Sequence, residues 1–595
     1  MLKPRERLRA DSALFLLALL ATPIVAPPPG RADPVESWRE EWEVAEGFAL
    51  DIDTEGYRFP TSVAFVPRPG KAPKDPLYFV SELRGTLKVV ANDRSVHTFA
   101  KDFFHLRLPY ELPNMRAEIG IGAVCLDPEH GYVFASFAYQ DDQGQLHNDI
   151  IRFETKPGTF ALTPSDSVRF TDIFDEFPSS RSHQIGHMVV RDGTLFVAVG
   201  DALQSSAGRA IDSVLGKVLR MTFDGQPVRD NPFYSGARPP RPRDYVWAYG
   251  LRNPFGLVEA NGRLYTAENG PSVDRFLRIE RGLDHGYDGS DWSIGTNALA
   301  VFAPAVGPAQ TAWVPQSYDA LPPEHRNAFY VTFGGSVTTP AGPGLRGERS
   351  VVKLAYDAAA DRPKRTAEPV LRYRGERLQM PVGVAAGPDG LYVAPLFDVR
   401  GESSAILRLS YDPSRDHPFR IDRDDSPAVL LAANGCNGCH ASYEGQTSIG
   451  PSLDPPTLVA RVAEELGSDS YRRSLEQIDA LTDEPYASFR DARKQVLAAE
   501  GKERVRLWLK YRILEPRFDT SVSLMPNQGV SEVQAARLAD YFVEQGWGRA
   551  GLPGSNDGMV AKVRALFPAP RYRHFVFALM IGLALGYGFA WGTRK

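Results

Sequence analysis

One strand signature recurs six times in the first two-thirds of the chain, and it constrains the fold more than any other feature. It reads apolar, aromatic or Val, apolar or Thr, small. The copies are Leu77-Tyr78-Phe79-Val80, Tyr132-Val133-Phe134-Ala135, Leu195-Phe196-Val197-Ala198, Leu264-Tyr265-Thr266-Ala267, Phe329-Tyr330-Val331-Thr332 and Leu391-Tyr392-Val393-Ala394, spaced by 55 to 69 residues. Most copies are preceded by another short strand and a Gly/Asp turn, as in Met188-Val189-Val190-Arg191-Asp192-Gly193, and followed by an alternating strand, as in Ala405-Ile406-Leu407-Arg408-Leu409. Each unit thus offers three or four short strands joined by tight turns. A fixed period of this size is the mark of a repeat architecture. Six such sheets packed radially leave only short, protected edges. The expectation is a mainly β protein with a six-bladed β-propeller over residues 40–415. The 52 Gly, 48 Pro, 32 Phe and 23 Tyr suit that turn-rich body.

The texture then changes. Residues 416–426 read as a polar linker, and helix formers dominate 458–466, 471–481, 487–510 and 531–547, with Ser531 placed to cap the last. Within this all-α region lies Cys436-Asn437-Gly438-Cys439-His440. Two thiols at that spacing reach the two vinyl groups of haem, and the adjoining His supplies an iron ligand. A zinc site needs further Cys or His, and none occurs between His440 and His574; a redox CxxC wants a βαβ context. A disulfide scaffold is excluded, because the chain has only three cysteines. Met525, followed by Pro526 and the last helix, resembles the Met-Pro turn of cytochromes c, with Met559 as the alternative sixth ligand. Gly450-Pro451-Ser452-Leu453 resembles that family's loop after the haem motif. The expectation is a cytochrome c domain over 426–548 holding covalent haem c through Cys436 and Cys439, with His440 and Met525 on the iron. The long interval between these two ligands implies an inserted helical segment.

Both ends read as membrane-directed. Lys3, Arg5, Arg7 and Arg9 precede an apolar run over 13–25, and Gly30-Arg31-Ala32 closes it, so 1–32 is expected to be a signal peptide, with an uncleaved anchor as the alternative. Residues 575–592 carry no charge, flanked by Arg571 and Arg573 on one side and Arg594 and Lys595 on the other. About 1.5 Å per residue makes such a run just long enough to span, so 574–592 is expected to be a single transmembrane helix. Tyr572 and Trp591 sit at interfacial positions. The implied location is the periplasmic face of the inner membrane. With 68 Lys+Arg against 73 Asp+Glu, no basic field points to nucleic acid.

Several ordered segments in blades one to four resemble the soluble quinoprotein glucose dehydrogenase and aldose sugar dehydrogenase family, with its sorbosone-dehydrogenase-like relatives. They are Glu82-Leu83-Arg84-Gly85-Thr86-Leu87-Lys88, Ser182-His183-Gln184-Ile185-Gly186, Val199-Gly200-Asp201, Leu215-Gly216-Lys217-Val218-Leu219-Arg220, Gly250-Leu251-Arg252-Asn253-Pro254-Phe255-Gly256 and Glu268-Asn269-Gly270-Pro271. The resemblance implies pyrroloquinoline quinone (PQQ) at the propeller mouth with Ca²⁺ beside it. His183 stands at the family's base position, and imidazole is the side chain that titrates near neutrality. By the same resemblance Arg252 stabilises charge on the reduced quinone, Asn253 and Asp201 contact or orient the cofactor, and Gly270 and Pro271 offer carbonyls to Ca²⁺, a hard ion that takes oxygen. Glu118 stands where the family usually has Gln. The family also places a Lys and two Arg from blades five and six on the cofactor's carboxylates; here those stretches read Thr332-Phe333-Gly334-Gly335 and Met380-Pro381-Val382-Gly383, without a cation. Arg84, Arg181, Arg346 and Arg377 are candidate substitutes.

The leading expectation is a membrane-anchored dehydrogenase oxidising a sugar or related alcohol or aldehyde, with electrons passing through the haem to a downstream cytochrome or terminal oxidase. The competing expectations are a non-catalytic electron-transfer or docking subunit that has lost PQQ, and a Ca²⁺-dependent lactonase, which has no evident use for a haem.

Overall fold

The computed structural model describes residues 37–106, 118–170, 173–174, 177–271, 273–290, 293, 297–302, 305–335, 349–400, 403–421, 426–440 and 450–550. The expected signal peptide (1–32), the expected membrane helix (574–592), Arg346 and Met559 lie outside these residues. Among the described residues no helix is long and apolar enough to cross a membrane.

Six antiparallel sheets account for the first two-thirds of the chain. The innermost strands are Pro60–Phe65, Ile121–Asp127, Ile185–Arg191, Val258–Ala260, Pro308–Val314 and Pro381–Ala386. Each touches the next and the last touches the first, so the six blades close into a propeller. The signature tetrapeptides fall in the second strand of every blade: Pro76–Glu82, Tyr132–Gln140, Thr194–Val199, Arg263–Glu268, Ala328–Phe333 and Leu391–Pro395. A second strand is covered by neighbouring blades on both faces, which is why it reads as a continuous apolar run rather than an alternation. Tyr78, Phe79, Val133, Val197, Tyr265, Tyr330 and Tyr392 are all fully buried.

Closure uses the N-terminal side of the chain. The strand Phe48–Tyr57 pairs with Ser404–Tyr411 (Phe48 opposite Tyr411, Leu50 opposite Leu409) and becomes the outer strand of blade six. Trp42–Val44 similarly extends blade five by pairing with Glu368–Tyr373. Polar side chains latch neighbouring blades. Ser62 Oγ accepts from Val124 N (2.9 Å), Ser136 Oγ donates to Gly186 O (2.6 Å), and Thr332 Oγ1 donates to Val382 O (3.2 Å). Gln310 of blade five reaches blades six and one together, accepting from Val384 N (3.0 Å) and Val63 N (3.1 Å) while donating to Val63 O (2.9 Å). Such fully satisfied buried networks hold rigid register between sheets.

The expected linker is partly strapped down. Ile421 N donates to Val44 O (2.9 Å), Arg420 Nη1 donates to Phe48 O (2.6 Å), and Phe419 lies under the Arg374 guanidinium at 3.5 Å. Beyond it, Pro455–Gly467, Asp469–Asp479, Arg490–Ala498, Gly501–Leu514 and Glu532–Gly546 pack round one core that includes Val462, Leu475, Trp508, Phe518 and Phe542. The single helix expected over 487–510 is instead two, broken where Gly501 takes φ +53°. Ser531 caps as expected: its side chain accepts from Gln534 N while the Gln534 side chain returns to the Ser531 backbone.

Candidate functional site

In each blade the start of the first strand and the end of the antiparallel second strand meet at the same rim. Register pairs Ile185 with Val199 and Pro60 with Glu82, and a bridge joins Pro254 to Glu268. That topology gathers Glu118, His183, Asp201, Arg252, Asn253 and Gly270 at one mouth, although they span more than 150 positions in sequence.

The centre of this cluster is a buried His–Asp pair. His183 Nδ1 and Asp201 Oδ1 are 2.6 Å apart, and the side chains are 8% and 2% exposed. Because Asp201 accepts the Nδ1 proton, the free lone pair of the neutral ring sits on Nε2. His183 takes φ +58°, an uncommon conformation for a residue with Cβ, and is over-determined by its surroundings. His183 N donates to Glu118 Oε2 (3.2 Å), His183 O accepts from Ala202 N (3.1 Å), and Gly200 lies so close that a Cβ there would sit 2.4 Å from His183 O. Asp201 N donates to Arg252 O (2.7 Å), joining the pair to the next blade.

Arg252 is held from both ends. Its Nη1 donates to Asn269 O (2.7 Å), and its backbone N–H donates to the Glu268 carboxylate. Glu268 is itself paired with Arg275, both side chains being fully buried. Tyr287 stands beside Arg252 and Asp201, its phenol pushed up by burial. Asp274 accepts from Gly270 N (2.8 Å), Val306 N (2.6 Å) and Gly307 N (2.9 Å), and burial pushes its carboxyl up to about 7. Glu268 belonged to a segment singled out in the sequence, but its role emerges only with Arg275, Tyr287 and Asp274, none of which carried a signal.

Arg84 reaches from blade one to Ile119 O (2.6 Å), Arg181 O accepts from Glu118 N (2.9 Å), and Arg252 completes that arc. Blades five and six bring Gly307, Gly335, Gln379 and Phe397, with Gln379 Nε2 donating to Phe397 O (3.1 Å), and Arg349 Nη1 donating to Arg377 O (3.3 Å). Arg377, a candidate substitute, pairs with Glu41 (2.8 Å) and donates to Val399 O (2.8 Å). Among the described residues no cluster of three or more His, Cys, Asp or Glu forms a metal site.

A second locus lies where the helical region meets blades four and five. Cys436, Cys439, His440 and Met525 line one cavity of about 1070 Å³, walled by Leu453 and Phe542. This is at the upper end of ordinary ligand cavities. His440 Nδ1 lies 2.7 Å from Pro451 O; donation to that carbonyl leaves the ring's lone pair on Nε2, and burial lowers the ring's pKa, favouring the neutral form. Gly450 faces the ring, where a Cβ would come within 2.6 Å of it. The four sulfur and nitrogen donors expected to act together are thus brought together.

The Glucose / Sorbosone dehydrogenase family profile matches residues 59–299, the arc of blades that carries the His183–Asp201 pair. Aldose sugar dehydrogenase YliI of Escherichia coli (strain K12) is 31% identical over 140 residues, 22% of this chain and 36% of its own length. Quinoprotein glucose dehydrogenase B of Acinetobacter calcoaceticus is 29% identical over 138 residues, 20% of this chain and 28% of its own. The chain therefore spans about a third of the length of these curated relatives. The apo-form crystal structure of the Escherichia coli soluble aldose sugar dehydrogenase superposes with TM-score 0.46 at 19% identity, over 61% of this chain and 99% of that one.

Proposed function

We propose that the chain is a quinohaemoprotein dehydrogenase: its propeller mouth oxidises a sugar, or a related alcohol or aldehyde, with PQQ and Ca²⁺, and electrons leave through a covalent c-type haem. The observation that carries this reading is the buried His183–Asp201 pair beside Arg252, inside the segment matched by the sugar-dehydrogenase profile. His183 Nε2 takes the proton of the substrate's C1 hydroxyl, and Asp201 holds the opposite N–H and stabilises the imidazolium that results. Arg252 and Asn253 would hold the quinone oxygens, with Glu118 and Asp201 at its rim and the Gly270 and Pro271 carbonyls available to Ca²⁺. When bound, PQQ supplies a two-electron acceptor for the hydride equivalent, and Ca²⁺ polarises its carbonyl. The Asn269 carbonyl and the Glu268 carboxylate already fix Arg252 as acceptors, so it costs no reorganisation when charge develops.

The donor set of the second cavity fits a c-type haem: two thiols one helical turn apart, an imidazole oriented through Nδ1, and a thioether. Cys436 and Cys439 would carry it covalently, His440 and Met525 would bind its iron, and thioether ligation raises the potential as an acceptor requires. Haem of this kind is attached outside the cytoplasm, in keeping with export through 1–32 and an anchor at 574–592 on the periplasmic face. A membrane oxidase or downstream cytochrome would take the electrons.

Adding PQQ and Ca²⁺ to the full-length protein, then a panel of aldoses, tests the reading at the haem absorption bands. PQQ-dependent haem reduction by at least one sugar is expected; none across sugars, alcohols and aldehydes ends it. One observation favours a second reading. At the two stretches where the family places cations, blades five and six carry none, and Arg377 beside them is paired with Glu41 (2.8 Å). A propeller that has lost PQQ would serve as a docking or electron-transfer subunit, and would pass ascorbate's electrons but no sugar's.

A further inference from the structure

We propose that the propeller completes the haem site: Arg365 and Thr366 of blade five are positioning residues for Met525, fixing the loop that presents its sulfur. The inference rests on the haem reading above and adds to it that the sixth position on the iron is set by two domains.

Met525 lies between the helices Gly501–Leu514 and Glu532–Gly546, in a segment without regular secondary structure. Its outward side has little to hold it, since Val522 and Leu524 are 80% and 65% exposed. A closed polar circuit holds the other side. It leaves the propeller at Arg365, whose Nη1 lies 3.6 Å from Glu515 Oε2. Glu515 is buried, and the same Oε2 accepts from Asn527 Nδ2 at 2.9 Å. Asn527 Nδ2 also donates to Leu514 O (3.0 Å), and its Oδ1 accepts from Gly529 N (2.9 Å). The circuit returns to the propeller where Thr366 Oγ1 donates to Gly529 O.

The two chains meet at backbone distance. Gly529 takes φ +71°, and a Cβ there would lie 2.5 Å from Arg365 Cβ and 2.7 Å from Thr366 N. Only glycine allows that approach without strain. Propeller residues also wall the cavity itself, including Val273, Asn297 and Arg365. Within the circuit sits the Met525–Pro526 turn. Cutting one of the two propeller contacts leaves the loop anchored through Asn527, and the thioether then competes less well for iron. A ligand held by such an outer contact answers to it in affinity, as metal ligands do to their second partners.

The test uses the full-length haem-loaded protein with Thr366→Val, Thr366→Ser and Arg365→Gln. The readouts are haem content, the thioether-to-iron absorption band, the reduction potential and the affinity of ferric haem for imidazole, which must displace Met525. Thr366→Val is expected to keep its haem and its unfolding midpoint, weaken the band, lower the potential, and bind imidazole roughly three- to tenfold more tightly, the population factor of one net hydrogen bond. Thr366→Ser restores the hydroxyl and should restore wild-type behaviour. Arg365→Gln should shift the same readouts in the same direction, and decides the matter if Thr366→Val does not fold. Wild-type band, potential and imidazole affinity in both Thr366→Val and Arg365→Gln would overturn the proposal. Absence of haem from the wild-type protein would instead overturn the reading it rests on.

Discussion

Replacing Arg275 by Met should destabilise the propeller by about 3–5 kcal/mol, the usual cost of removing one partner of a buried ion pair. Arg275 and Glu268 are both fully buried, and Arg275 Nη1 also donates to His285 O (2.8 Å). Methionine fills much of the same volume but leaves the Glu268 carboxylate with the Arg252 N–H as its donor among the described residues. It also strips the His285 carbonyl of a donor. At about 1.4 kcal/mol per factor of ten, the loss lowers the folded-to-unfolded ratio roughly 10²- to 10⁴-fold. Neutralising the orphan should recover most of it, so Arg275→Met/Glu268→Gln is expected to be clearly more stable than Arg275→Met alone. Urea unfolding followed through tryptophan fluorescence includes the propeller, where Trp38, Trp42, Trp247 and Trp313 lie, beside Trp508 and Trp547 of the helical region, whose transition is read separately by haem absorbance. A loss below about 1 kcal/mol in the single variant, or a double variant no better than the single, would refute the argument that an unpaired buried carboxylate dominates. Glu268 also positions Arg252, so the single variant should lose PQQ-dependent activity even where it remains folded.

His183→Ala should lower substrate-driven haem reduction by about 10²- to 10⁴-fold while leaving reduction by ascorbate unchanged; stopped-flow traces at the haem bands check both. Met525→Ala should retain covalent haem, lose the thioether band and lower the reduction potential, as measured by redox titration; persistence of the band would reassign the ligand. Acid should weaken the fold well above the range where carboxylates titrate. Burial holds His187 down to about 4 and His285 down to about 3, both below the ordinary 6.5. The unfolded chain therefore takes up protons that the folded one refuses. The contribution of these two rings is fully present above about pH 6.5 and is lost as pH drops toward 4, by up to about 1.4 kcal/mol per pH unit for each ring, while Asp274, held up to about 7, offsets one ring's worth over the same range. Urea midpoints at pH 7, 6 and 5 measure this, and His187→Leu should flatten the slope.

The blade number was legible in the sequence because each second strand is covered on both faces, so burial writes the same short apolar run at Tyr78, Val133, Phe196, Tyr265, Tyr330 and Tyr392. The cap at Ser531 and the CxxCH spacing were legible for a similar reason: both are set within a turn or two of chain. The His183–Asp201 pair stood in adjacent motifs of one blade, and the rim topology makes their meeting almost unavoidable. What tertiary structure decided involves partners far apart in sequence. Nothing local in Phe48–Tyr57 says that it closes blade six against Ser404–Tyr411. Nothing near Glu268 announces that Arg275 will be its buried counter-ion rather than a solvated charge, since the same residue types serve either way until neighbouring blades exclude water. The break at Gly501 hid inside an otherwise helical composition, where one backbone angle outweighed propensity. The hold of Thr366 on the loop of Met525 is of the same kind: a hydroxyl and a glycine, unremarkable in sequence, acquire their role only because blade five and the helical region meet there.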